Sequence, residues 1–182
     1  MWLKMKITYP YNNEIIVIEN FLSAEEADMI AGFVDNATEE DWARAQYVDG
    51  NEFNNTIFHF QDPIAGEIGD RIVNNIMPLL PDDVALRSFN PNCVTKTVTG
   101  KSMNPHNDWH DDNGCRYGIV VYVNENYTGG EIYYPNKGIY MKPGKGLAVV
   151  HPASEEYLHG IKEVTSGTRY AMTAFVFDKD KI

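Results

Sequence analysis

The sequence predicts a mainly β protein, a sandwich or jelly roll of short strands braced by N-terminal helices. Three observations lead there. From Val84 onward, short β-branched and aromatic runs recur between turns such as Gly129-Gly130, Pro143-Gly144 and Ser166-Gly167. Two helix-forming segments precede that half, without the strand–helix alternation of a doubly wound sheet. The 182 residues contain no internal repeat, linker or low-complexity tract. A single domain over 1–182 is therefore expected, with its jelly-roll core at about 84–178.

The opening MWLKMKITYP has no continuous apolar stretch and no small-residue cleavage pattern, so no secretory leader is expected. Residues 15–18 (IIVI) are β-branched and read as a strand. Ser23 followed by Glu26 forms a capping-box pattern ahead of Ala27, Ile30, Ala31 and Val34, predicting a helix over 23–36. Residues 39–42 fit a short helix or a loop. The polar stretch 43–60, with Arg44, Tyr47, Asn54 and Asn55, fits a flap over a pocket or a plain surface connection. Asp62-Pro63 opens a second helix over 62–77, with Ile68, Ile72 and Ile76 at helical spacing and Pro78 beyond. Strands follow at 86–89, 94–99, 117–123, 132–134, 139–141, 147–150, 161–164 and 170–177. Residues 117–123 are almost all β-formers, as a strand buried on both faces requires.

Composition narrows the function. Asp and Glu number 26 against 15 Lys and Arg, a net charge of -11 that disfavours any general grip on nucleic acid or an anionic membrane. No apolar run approaches the roughly 18 residues of a membrane span. Two cysteines, Cys93 and Cys115, are too few for a disulfide scaffold. The expectation is a soluble, cytoplasmic protein.

Chemistry concentrates in SMNPHNDWHDDNGCR, residues 102–116. In an extended segment His106 and Asp108 share a face and can reach one ion together. His159, far along the chain, can supply a third ligand. Two imidazoles and one carboxylate leave three coordination positions open, the facial arrangement of non-haem Fe(II) oxygenases. Taken alone, His-x-Asp is more often a product of ordinary polar turns than a metal pair, and His110-Asp111-Asp112 repeats it four residues on.

Context separates these readings. His106-Asn107-Asp108, Tyr122-Val123-Asn124, Gly129-Gly130-Glu131, His159 and Arg169 occur in that order. From Met103 to Phe177 the chain resembles the 2-oxoglutarate- and Fe(II)-dependent dioxygenases, within them the prolyl 4-hydroxylase-like branch. IIVIENFLSAEE is similar to the family's lead-in. The resemblance implies a double-stranded β-helix with His106, Asp108 and His159 as iron ligands and Arg169 holding the distal carboxylate of 2-oxoglutarate. Tyr122 and Thr173 are the further candidates for that carboxylate. It places the metal pair at His106/Asp108, because His110 stands too close to the following strand. Fe(II), 2-oxoglutarate and O2 are the implied cofactor and cosubstrates, with ascorbate as an accessory reductant. Two departures stand out. Lys96-Thr97 occupies the place where many relatives carry a tyrosine. His151 replaces an aromatic residue, and the end of a strand is the favoured reading for it over a place facing the pocket.

The implied reaction is hydroxylation of a C–H bond coupled to oxidative decarboxylation of 2-oxoglutarate. The resemblance points to prolyl residues in a peptide or protein. A free amino acid or other small metabolite is the rival substrate, its carboxylate held by Arg44 or Arg116, and Trp109 is a candidate substrate contact. Two other classes remain open: a Zn²⁺ or Mn²⁺ isomerase, and a non-catalytic jelly-roll binding module.

Overall fold

The computed structural model describes residues 4–46, 52–59, 62–89, 93–109 and 114–182, with backbone alone at 43–46, 52–59 and 87–89. Strands β1 (Lys6–Tyr11) and β2 (Ile15–Glu19) lead into helix α1 (Ala24–Asp35), then β3 (Trp42–Gln46), β4 (Glu52–His59) and helix α2 (Ile64–Asn75). There follow β5 (Val84–Phe89), β6 (Cys93–Val98), β7 (Met103–His106) and β8 (Cys115–Tyr122). The short strands β9 (Thr128–Gly129), β10 (Ile132–Tyr134) and β11 (Ile139–Met141) come next. The chain closes through β12 (Ala148–Pro152), β13 (His159–Ile161), β14 (Val164–Ser166) and the long β15 (Thr168–Asp178).

Nine strands form one sheet in the order β1-β2-β12-β8-β15-β6-β4-β3, with β5 also on β15. A four-stranded sheet, β11-β10-β13-β7, faces it, and β14-β9 makes a two-stranded ribbon. These pairings are antiparallel throughout. The result is the expected double-stranded β-helix.

The central strands are apolar on both faces because each face has its own core. Ile119 and Val121 of β8, Ile16 and Ile18 of β2, and Met172 and Ala174 of β15 pack under the two helices. Their neighbours Val120, Tyr122, Ile15, Val17 and Ala171 pack between the sheets with Ile132 and Tyr134. Period-2 alternation thus splits each strand between an outer core and an inner one.

Both helices sit within a residue or two of their predicted ends. Ser23 and Glu26 make the reciprocal capping box, Glu26 N–H donating to Ser23 Oγ at 3.1 Å and Ser23 N–H to Glu26 Oε2 at 2.7 Å. Glu26 also accepts from Arg71 Nη2 at 2.6 Å and Nη1 at 2.9 Å, while Arg71 Nη1 reaches Phe21 O at 2.6 Å. This pair ties α1 to α2. At the start of α2, Asp62 Oδ1 accepts from Ile64 N–H at 2.9 Å, and Pro63 is already helical.

The largest departure lies in the polar stretch 43–60. Instead of a loop, β3 and β4 form an antiparallel hairpin that extends the large sheet from β6. β4 carries the β-formers Phe53, Thr56, Ile57 and Phe58 among its polar residues, and β3 lies at the sheet margin, where polar residues do not prevent a strand. Arg44, Asn54 and Asn55 lie on that backbone, and Tyr47 lies outside the described residues. Lys6–Tyr11 is also a strand that the sequence pattern did not mark, Glu39–Asp41 is a 3₁₀ turn, and the 161–164 run divides between β13 and β14.

Candidate active site

β7 and β13 lie side by side, and their register sets His159 directly opposite His106. Each ring is oriented by a nearby main-chain carbonyl, His106 Nδ1 lying 3.0 Å from Asn104 O and His159 Nδ1 3.3 Å from Tyr157 O. A carbonyl oxygen only accepts. Both Nδ1 atoms therefore carry a proton, which leaves Nε2 as the ligating atom of each ring in its neutral form. Asp108 lies on that side, its Oδ1 3.9 Å from His106 Nε2 and its Oδ2 3.8 Å from His159 Nε2. One ligand atom from each residue lies within 4.8 Å of the other two. Burial lowers the His159 pKa to about 4, which keeps the imidazole in its neutral, ligating form.

Gly118 of β8 leaves the space this cluster occupies. A Cβ there would stand 2.7 Å from Asp108 Oδ2 and 2.9 Å from His151 Nε2. His151 corrects the favoured reading that it merely ends a strand: it is fully buried, its ring 4.2 Å from that of His159. The alternation of β12 explains this, since His151 shares the inward face of Val149. Burial and the adjacent His159 hold its pKa well below the ordinary histidine range. Among the described residues its Nε2 has no hydrogen-bond partner.

Arg169 is 2% exposed, on the inner face of β15 opposite Thr97 of β6. Its guanidinium carbon stands 4.9 Å from the Tyr122 ring centre. Among the described residues the buried Arg169 Nε and Tyr134 hydroxyl have no hydrogen-bond partner, and the buried hydroxyls of Tyr122 and Tyr127 have Arg169, which can only donate, as their hydrogen-bonding neighbour. Burial raises the pKa of all three phenols, Tyr127 to about 12, and Arg169 moderates the rise at Tyr122 and Tyr127. The Tyr134 hydroxyl senses both Tyr122 and Asp108, and its ring lies 6.0 Å from that of His159. One interior therefore runs from Arg169 to the histidine pair. Thr173 shares the inward face of β15 and is half-buried opposite Val120. Where relatives carry a tyrosine, Thr97 is buried opposite Arg169, while Lys96 turns outward over the Trp42 ring at 4.0 Å.

Outside the cluster an open groove of about 470 Å³ is lined by Trp109, Cys115, Arg116, Tyr117, Pro152 and Glu155. It begins one residue past Asp108 and one past His151. Burial and the Asp108 charge push the Cys115 thiol up to about 12, so this thiol stays protonated. Arg116 Nη1 donates to Asp178 Oδ1 at 2.6 Å and lies 3.7 Å from Asp83 Oδ2. His110, Asp111 and Asp112 lie outside the described residues.

Residues 93–177 match the family model of the 2OG-Fe(II) oxygenase superfamily. Through this segment the chain is similar to that superfamily. It is a 2-oxoglutarate-dependent dioxygenase, with Fe(II) as its metal and 2-oxoglutarate and O2 as cosubstrates. No curated protein matches the oxygenase. Solved structures do. A viral collagen prolyl hydroxylase from Paramecium Bursaria Chlorella virus-1 is 18% identical with a TM-score of 0.69, covering 92% of this chain and 97% of its own. A Trichoplax adhaerens prolyl hydroxylase, in complex with a hypoxia inducible factor peptide fragment, is 17% identical with a TM-score of 0.72 over 93% of this chain and 86% of its own. A Pseudomonas putida prolyl-4-hydroxylase is 16% identical with a TM-score of 0.63 over 91% of this chain and 93% of its own. At these identities the likeness is one of fold.

The oxygenase interior fits the groups its family uses. Two imidazoles and a carboxylate suit a divalent iron, and a buried cation beside phenols whose hydrogens lack an acceptor suits a carboxylate. Sequence reasoning missed Tyr127 and Tyr134. Tyr127 carries a signal in hindsight, an aromatic residue between Tyr122-Val123-Asn124 and Gly129-Gly130-Glu131. Among the described residues no helix is long and apolar enough to cross a membrane.

Proposed function

We propose that the enzyme hydroxylates prolyl residues in a peptide or protein. His106, Asp108 and His159 hold Fe(II), and Arg169, with Tyr122 and Thr173, holds 2-oxoglutarate. One observation carries the reading: a His-Asp-His cluster within 4.8 Å shares its interior with a guanidinium that is 2% exposed. When bound, iron and 2-oxoglutarate supply the oxidation, splitting O2 so that one oxygen atom enters succinate and the other the substrate, with release of CO2.

The chain's own residues orient and enclose. Asn104 O and Tyr157 O fix the imidazole tautomers, which aims both lone pairs at one point. Asp108 supplies an intact carboxylate, which favours hydroxylation over halogenation, since a halide needs that position. The guanidinium of Arg169 offers two parallel charge-assisted bonds to a carboxylate, and its burial strengthens them. Tyr134, Val120 and Ala171 close the interior with apolar surface and limit the entry of water.

The groove past Asp108 supports a chain-borne substrate. Free proline would need an available cation for its carboxylate, and Arg116 is already engaged by Asp178 and Asp83. Trp109, 44% exposed, and Tyr117 offer flat apolar surface to a pyrrolidine ring. The Trichoplax adhaerens neighbour is itself in complex with a peptide. The isomerase and binding-module readings have no supporting observation of this kind.

The test is succinate release with proline-rich peptides, free proline and related amino acids, with product mass checked for one added oxygen. Oxygen gain in peptides alone supports the proposal. Turnover of a free amino acid alone overturns the substrate and leaves the iron and 2-oxoglutarate assignments standing.

A further inference from the structure

We infer that Tyr127 is a second cosubstrate-binding phenol, donating its hydroxyl beside Arg169 to the remote carboxylate of 2-oxoglutarate. This rests on the proposed role of Arg169. Tyr127 lies between β8 and β9, is 5% exposed, and its hydroxyl neighbours Arg169, a donor only, so among the described residues the phenol hydrogen has no acceptor. A buried phenol hydrogen without an acceptor is a cost that phenylalanine would avoid, so the hydroxyl calls for a ligand to receive it.

The position is built around the ring. Gly130 and Gly167 take left-handed backbone conformations, at φ 67° and 76°. A Cβ on Gly130 would come 2.9 Å from Tyr127 Cε2, and one on Gly167 would come 3.1 Å from Tyr127 Cα. Any other residue at either position would be strained and would push the tyrosine aside. Lys142 Nζ donates to Tyr127 O at 2.6 Å and stands 4.9 Å from the ring centre.

The loop carrying Tyr127 is also sewn to the start of β15. Asn124 Nδ2 donates to Thr168 O at 2.8 Å and to Asn126 Oδ1 at 2.7 Å, while Asn124 Oδ1 accepts from Tyr170 N–H at 2.8 Å. Those bonds flank Arg169 on both sides and hold the loop in register with it. Arg169 acts on the hydroxyls of Tyr127 and Tyr122, and Glu131 acts on Tyr127 only weakly. The two phenol oxygens can accept from Arg169, while Arg169 Nε and the two phenol hydrogens are left without an acceptor among the described residues. An anion with several acceptor lone pairs satisfies them, and a carboxylate has that form.

The experiment is calorimetric titration of the Mn(II)-loaded protein with 2-oxoglutarate and with 2-oxopentanoate, which lacks the remote carboxylate. Tyr127→Phe should weaken 2-oxoglutarate binding about ten-fold, the loss of one hydrogen bond to a charged group. It should leave 2-oxopentanoate and Mn(II) affinity unchanged and leave the melting temperature of the metal-free protein equal or higher. Wild-type 2-oxoglutarate affinity in Tyr127→Phe, with affinity lost in Arg169→Ala, overturns this inference alone. Wild-type affinity in both variants overturns the role of Arg169 as well. Equal weakening toward both oxo acids, or a lowered melting temperature, makes Tyr127 a structural residue and overturns the inference.

Discussion

His106 and His159 occupy directly opposed positions on two antiparallel strands, with ring centroids 4.5 Å apart. Fifty-odd residues separate them in sequence, and the ladder between β7 and β13 removes that distance. A ladder holds its partners more rigidly than a loop would, which suits a site whose ligands must converge on one ion. Asp108 completes the cluster from just past the end of β7, where the chain leaves the ladder.

Asp108→Ala should remove metal binding and turnover together, because two imidazoles alone neither balance the ion's charge nor complete the facial set. Affinity should fall by more than about 100-fold, beyond the loss typical of residues that only support a ligand. Asp112→Ala should change it little. Mn(II) titration of both variants checks this, and retained affinity in Asp108→Ala with loss in Asp112→Ala would move the ligand to the second His-x-Asp.

Gly118→Ala should weaken metal binding although Gly118 contacts no ion. Its new Cβ would meet Asp108 Oδ2 at 2.7 Å and His151 at 2.9 Å, so one of them must shift. An overpacked interior of this kind costs about 1–3 kcal/mol. Denaturant melts and metal titration should show both losses, and wild-type values in both would contradict the close packing.

Glu26 and Arg71 give the helices a pH-dependent tie. Burial would raise the Glu26 pKa, yet hydrogen bonds from Arg71 and Ser23 outweigh it and hold the carboxyl below its ordinary range. A carboxyl depressed in the folded state stabilises fully above its unfolded pKa of about 4.3, and that stability is lost as pH falls through the folded value. Glu26→Gln should cost about 2 kcal/mol at neutral pH, less than for a fully buried pair because this one is partly solvated. Urea melts at neutral pH and near pH 3 should show the gap between variant and wild type closing in acid.

His151→Phe should stabilise the metal-free protein, and more so in mild acid than at neutral pH. Burial and His159 depress the His151 pKa, so below about 6.5 the unfolded chain takes up a proton that the folded protein refuses. Stability from this group is full above that pH and declines as pH falls toward the folded value. Phenylalanine removes both the refusal and the unpartnered Nε2. Melts at pH 5 and pH 8 compare the two gains, and a larger gain at pH 8 would contradict the assignment.

Local order along the chain was enough to predict the helices at Ala24–Asp35 and Ile64–Asn75 and the strands Ile132–Tyr134 and Ile139–Met141, and to single out His106, Asp108, His159 and Arg169 as candidates. Caps, helical spacing and β-branched runs are properties of neighbouring residues, and so is the order of motifs. Only the tertiary structure decided what pairs across distance. The hairpin of β3 and β4 extends the sheet because β6 offers its edge, a partner some forty residues further along the chain. His151 turns inward because β12 is flanked by β2 and β8, which sets which of its faces is interior. Tyr127 meets Arg169 only once Asn124 fastens its loop to β15. Sheet register and side-chain direction are settled by contacts between segments far apart in sequence, and those contacts are written in no single stretch of it.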